Sequence, residues 1–169
     1  TALQSKYLNW KIPENSILHY SDIGSHLNDR GKWRLKDYVE NTQKYEMSVF
    51  QYDDPPKEIF KKDYKYQKYF EYEYTKSDII NYFGLNNESI IFNSPQIWGG
   101  TFFLKKSKFS KKFLNDWEKA NIHTNLFDDS LSKIENHPKF KGMRGCQSVF
   151  SILSKLNNSY KFSASECEW

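Results

Sequence analysis

Apolar positions along the chain switch between a helical spacing and the tighter spacing of strands. Ala2, Leu3, Tyr7 and Leu8 recur at helical intervals, and Ile12-Pro13 ends that pattern. Ile17, Leu18 and Tyr20 form a short strand-like run that breaks at Asp22-Ile23-Gly24-Ser25 into turn-forming residues. Beyond Gly31, the residues Trp33, Leu35, Tyr38 and Val39 predict a helix. The run Met47–Tyr52 predicts a second strand, stopped by Asp53-Asp54-Pro55-Pro56. Ser77–Phe83 predicts a short helix closed by Gly84 in a left-handed cap. Ile90–Phe92 reads as a small strand, and Thr101–Leu104 as another that Gly99-Gly100 precede. Phe109, Phe113, Leu114 and Trp117 mark one side of a helix. Val149, Ile152, Leu153 and Leu156 mark a second, and Tyr160–Ser163 predicts a closing strand. Strands and helices alternate without a repeat or a linker, which predicts one layered α/β domain over residues 1–169.

Composition adds limits to this picture. The mean hydropathy is −0.84, yet 18% of residues are aromatic, so Tyr and Phe supply a core that Leu and Val alone would not. The formal net charge of +4 fits a phosphate-bearing or otherwise anionic ligand, but the excess is too small to imply nucleic acid. Cys146 and Cys167 lack metal-ligand spacing and fit a reducing compartment. No apolar run reaches the length of a membrane span. The chain opens on TALQSKYLNW without Met and is expected to be a fragment that begins inside an element.

The candidate chemistry lies at the ends of predicted elements, where ligand sites of open α/β sheets gather. Asp22 reads either as a carboxylate offered to a ligand at the end of a central strand, or as the cap of a turn. The other candidates are Lys76 with Asp78, Gln96 with Gly99-Gly100, Asp128-Asp129, and Arg144 with Gln147. The glycine pair leaves room for close approach by a neighbouring strand or a ligand. His19, His26, His123 and His137 form no pair at metal-binding spacing and read as structural. Glu118-Lys119 is too common a dipeptide to mark a nuclease site. The stretch Lys57–Tyr74 interleaves Lys, Tyr and Glu. It reads as an amphipathic connector with its rings packed down, or as a stacking surface for single-stranded nucleic acid.

The succession YSDIGS, EYEYTKSD, SPQIWGGTFFLKK and FDDSLSK…F…RGCQSVFSIL, from about Trp10 to Leu156, resembles a family of small GT-A-type glycosyltransferases. These occur in bacterial surface-polysaccharide clusters and in some large viruses. The resemblance implies a mixed sheet flanked by helices, here lacking its first strand-helix-strand unit. It implies transfer of a sugar from a nucleotide sugar to a saccharide or lipid-linked glycan acceptor. It further implies a cytoplasmic location, peripheral at the inner membrane face. By the same resemblance Tyr20 and Asp22 fall on a Tyr-x-Asp-x-Asp turn that holds a divalent cation, Mn²⁺ or Mg²⁺, with Gly24 where the second acid would stand. Donor contacts would fall to Asp22, Lys76, Asp78, Gln96, Gly99, Gly100 and Arg144, and catalytic or acceptor contacts to Asp128, Asp129 and Gln147. The family's Arg-His-Asp-Gln-Ser is Arg144-Gly145-Cys146-Gln147-Ser148 here, so a thiol replaces an acid. That departure keeps a second reading open, a non-catalytic binding module on the same scaffold. A basic, Tyr-rich nucleic-acid binder using residues 57–76 is the third.

Overall fold

The computed structural model describes residues 11–25, 28–55, 67–122, 126, 128 and 130–167. The helix expected through Ala2 to Leu8, the whole Lys57–Tyr66 segment, His26, His123 and Asp129 lie outside the described residues. Within them the chain is mixed α/β, an open four-stranded sheet flanked by helices. The strands are β1 (Ile17–Ser21), β2 (Met47–Gln51), β3 (Ile97–Lys105) and β4 (Tyr160–Ser163). Their order is β1-β3-β2-β4, with β3 antiparallel to both neighbours and β2 parallel to β4. The helices are α1 (Leu35–Tyr45), α2 (Glu71–Tyr74), α3 (Ser77–Tyr82), α4 (Lys108–Ile122) and α5 (Cys146–Leu156).

Strand periodicity divides the core between two faces. Met47, Val49, Phe102 and Leu104 point to one face and pack with Phe113, Trp117, Val149, Phe150 and Ile152 of α4 and α5. Phe50, Phe103 and Phe162 point to the other and pack against Tyr38 of α1. On that face Thr42 of α1 donates a hydrogen bond to Ser48 of β2 at 2.9 Å. The apolar stripe read on α5 is buried along its length, except Leu156 at its end.

Polar burial joins α2 to α5. Glu71 is fully buried, and its carboxylate accepts from Lys155 Nζ at 2.7 Å, from Thr75 Oγ1 at 2.6 Å and from Ser151 Oγ. Three donors on one carboxylate offset much of its desolvation cost. Burial pushes the Lys155 ammonium below its ordinary pKa, and Glu71 opposes that shift.

Four expectations need correction. Ile90–Phe92 is not a strand but a run of turns. Asn93 Nδ2 donates to the carbonyls of Asn87 and Ser89, and Ser94 Oγ donates to that of Ile91. These local bonds compete with a ladder and leave Ile90 in solvent. β1 is an edge strand rather than a central one, because only β3 pairs with it among the described residues. The glycine pair also lies inside β3 rather than ahead of it. The helix after Gly31 starts later than its apolar pattern, since Asp29–Arg34 winds as a 3₁₀ turn first. Gly84 does take the left-handed conformation, at φ 67°.

Candidate functional site

The site is built where β3 leaves regular pairing. Val49 and Phe50, adjacent on β2, oppose Phe102 and Trp98 of β3, so Gly99, Gly100 and Thr101 bulge from that ladder. A Cβ on Gly100 would sit 2.5 Å from the Trp98 indole, and one on Gly99 would sit 3.4 Å from Gln147 Cβ. The close approach that the glycines allow is thus made by two side chains of this chain.

The bulge carries the end of β1 with it. Asp22 N donates to the Gly100 carbonyl at 2.8 Å, and Tyr20 OH donates to Asp22 Oδ1 at 2.7 Å. The Asp22 carbonyl in turn accepts from Ser25 N at 2.9 Å. Asp22 is therefore both a turn residue, held through its backbone, and an exposed carboxylate that accepts from Tyr20. Burial and the Asp22 carboxylate push the Tyr20 phenol up to about 12, and the Cys146 thiol is near enough to add to the effect. Tyr20, Asp22 and the start of α5 therefore share one end of the sheet.

Gln147 links α5 to the bulge. Its Oε1 accepts from Gly99 N at 3.1 Å and its Nε2 donates to Gln96 Oε1 at 3.1 Å. Gln96 is fully buried and donates through Nε2 to Thr75 Oγ1 at 3.0 Å and Ser148 Oγ at 3.3 Å. Ser148 Oγ then donates to the Tyr74 carbonyl at 2.7 Å. The carboxamide of Gln96 is engaged within the protein on every side. Its role here is to align α2, β3 and α5.

Just ahead of α5, residues 139–144 lie across the tyrosines of residues 69–74. Lys141 N donates to the Glu73 carbonyl at 2.8 Å and Arg144 N to that of Tyr74 at 3.3 Å. Lys139 sits over the Tyr72 ring and Lys141 over the Tyr74 ring. The Arg144 guanidinium carbon lies 4.1 Å from the Tyr69 ring centroid, 4.4 Å from that of Tyr74 and 5.3 Å from that of Tyr52. The tyrosines of the Lys-Tyr stretch that are described pack beneath basic side chains of this same chain, as a connector would.

Lys76, Asp78 and Asp128 form a separate grouping. Lys76, almost wholly buried, donates through Nζ to the Asp128 carbonyl at 2.5 Å and lies 3.5 Å from its carboxylate. Hydrogen bonds from Ser130, with Lys76 nearby, hold the exposed Asp128 carboxyl below its ordinary range. The Asp78 carboxylate accepts from Lys133 N at 3.0 Å and Ile134 N at 3.1 Å, so it hooks a loop onto α3. No hydrogen bond or ion pair among the described residues joins this grouping to Asp22.

The sequence reading passed over Tyr52, Tyr69 and Tyr74 as ligand-side residues, and over Glu71 and Lys155 as the core pair. The Tyr signal was present in the Lys-Tyr stretch, but its partner strap lies some seventy positions on, as the pairing of Lys141 with Glu73 records. Both histidines that are described pack on aromatic rings. His19 stacks on Phe103 at 4.3 Å, and His137 packs on Tyr72 at 4.7 Å.

Among the described residues no group of three or more His, Cys, Asp or Glu is arranged to hold a metal ion. Asp22 offers one carboxylate. That donor set fits a hard cation only where ligand phosphates and water complete the shell. Among the described residues no helix is long and apolar enough to cross a membrane. No family model, no curated protein and no solved structure matches the chain.

Proposed function

We propose that the chain is a GT-A-type glycosyltransferase domain, which transfers a sugar from a nucleotide sugar to a saccharide or lipid-linked glycan acceptor. One observation carries this reading. Tyr20 and Asp22, Gly99-Gly100 and Cys146-Gln147 come from three of the four stretches that resemble the family, and they converge at one end of the sheet through the bonds of Asp22 N to Gly100 and Gly99 N to Gln147. Separate motifs that merely repeated common residue patterns would have no reason to meet.

In this reading Asp22 would hold a Mn²⁺ or Mg²⁺ ion for the donor, which when bound would supply positive charge to a diphosphate leaving group. The Tyr20 hydroxyl holds the carboxylate and the bond from Asp22 N to Gly100 holds its backbone before any ligand arrives, which lowers the ordering cost of binding. Gln147, locked between Gly99 and Gln96, holds the first turn of α5 against the bulge and so sets the wall facing the sugar. Lys76 and Asp128 belong to the rim on the α3 side.

The test is titration of the chain with a panel of nucleotide sugars in Mn²⁺, together with a product assay. Binding that weakens about tenfold or more in Asp22→Asn is the expected result, on the scale of a lost charge-assisted contact. Equal affinity in the variant would remove Asp22 from the site. Binding without turnover, by contrast, would favour the non-catalytic module. Cys146 is exposed beside Tyr20 in place of the family's acid, which gives that second reading its own footing.

A further inference from the structure

Two arginines with described side chains sit among aromatic rings, and they differ in one respect. Arg34 lies over Trp33, Tyr38 and Phe162 and is also paired with the carboxylates of Glu166 and Asp37. Arg144 lies over Tyr52, Tyr69 and Tyr74, and among the described residues no carboxylate pairs with it. The nearby acids have other partners: Asp53 and Asp54 hold Lys68, and Glu73 holds Lys141. Rings contact the faces of a guanidinium, whereas its five N–H donors lie in the plane. The rings therefore surround the Arg144 cation, and among the described residues no internal anion matches its N–H donors. A half-buried cation held in this way is arranged for a bidentate oxyanion.

We infer that Arg144, caged by Tyr52, Tyr69 and Tyr74, is an oxyanion-binding subsite for a phosphate or carboxylate group of the ligand. The inference deepens the transferase reading and rests on it for the place of the ligand. Arg144 stands two residues before Cys146 and three before Gln147, whose carboxamide oxygen accepts from Gly99 N. Two sources of the anion fit this chemistry, the diphosphate of a nucleotide donor and the carboxylate of an acidic sugar acceptor.

Calorimetric titration of the chain with pyrophosphate, uridine diphosphate and glucuronate, with glucose as neutral control, separates them. At least one anion is expected to bind where glucose does not, and Arg144→Gln should weaken it by about 10- to 100-fold, the scale of a bond to a charged group. Loss confined to the two diphosphates assigns the donor, and loss confined to glucuronate assigns the acceptor. Arg144→Lys keeps the charge over the rings but not the fork, so it should bind between the two. Melting curves of both variants check that the cage still folds, and Arg144→Lys carries the comparison if Arg144→Gln does not. No binding of any anion, or anion affinities that are the same in wild type and Arg144→Lys, overturns the inference. Asp22→Asn, titrated with the same probes, tells the two proposals apart. Dependence on Asp22 with indifference at Arg144 leaves the transferase reading standing and removes this subsite, and the converse keeps the subsite and removes the cation turn.

Discussion

Arg34 and Arg144 occupy similar aromatic surroundings and are put to different uses. The Arg34 guanidinium donates to both oxygens of Glu166, at 2.7 Å and 3.1 Å, and also to Asp37. Tyr38 OH adds a further bond to Glu166 at 3.0 Å. Burial works against the charge on Arg34, but the Glu166 and Asp37 carboxylates outweigh it and raise its pKa. This cluster joins the start of α1 to the turn after β4, and its cation is matched by carboxylates of the same chain. Arg144 has the rings without the carboxylates. The same cation among the same kind of rings thus serves stability where its counter-ion is internal, and is available for recognition where it is not.

The comparison can be broken most sharply at Arg34. Arg34→Met would take the cation away from the Glu166 carboxylate, whose side chain is only 3% exposed. Removing one partner of a buried pair costs about 3–5 kcal/mol. Urea unfolding should show a loss on that scale, and an unchanged midpoint would mean that Glu166 finds water or another donor.

Alkali should act on the Arg34 side and not on Arg144. Burial, and then the nearby Glu166 charge, push the Cys167 thiol up to about 12, and the same two causes raise the Tyr38 phenol. Both groups hold their protons more tightly in the folded chain. Their contribution is fully present below the unfolded pKa values, about 8.5 for a thiol and 10 for a phenol. It is lost as pH rises above them, where the unfolded chain releases protons that the folded chain keeps. Stability should therefore fall from about pH 9 towards pH 12, and Cys167→Ala should flatten the first part of that slope. A slope that Cys167→Ala leaves unaltered would place the alkaline sensitivity elsewhere.

The smallest effect is expected at Arg144 itself. With no ion pair to break among the described residues, Arg144→Gln forfeits cation–π contacts at a half-exposed site, worth about 0.5–1 kcal/mol. Thermal melts of the two variants side by side test this. A loss at Arg144 as large as that at Arg34 would show that the tyrosine cage is a structural clamp.

Much of the layered arrangement was legible because it follows from short-range rules. The stripe of Val149, Ile152 and Leu153 predicts a buried helical face, and the alternation of Met47 and Val49 with Ser48 and Phe50 predicts a strand packed on both sides. Ile90–Phe92 misled for a physical reason. Three strand-forming residues flanked by Ser and Asn satisfied their backbone locally and had no strand to join.

Periodicity, turn chemistry and the left-handed Gly84 are properties of neighbouring residues, so the sequence by itself determined the elements and their buried faces. It also marked Asp22 as a turn and the glycine pair as a place of close approach. Strand order and side-chain partnership join residues far apart, and only the tertiary structure decided them. It put β1 at an edge, filled the space beside Gly99 and Gly100 with Gln147 and Trp98, and engaged Gln96 and Asp78 in scaffold bonds. It also set Arg144 among tyrosines from two distant segments while giving Arg34 its carboxylates. A charge is balanced by what folding brings beside it, and that neighbour is not encoded at the position of the charge.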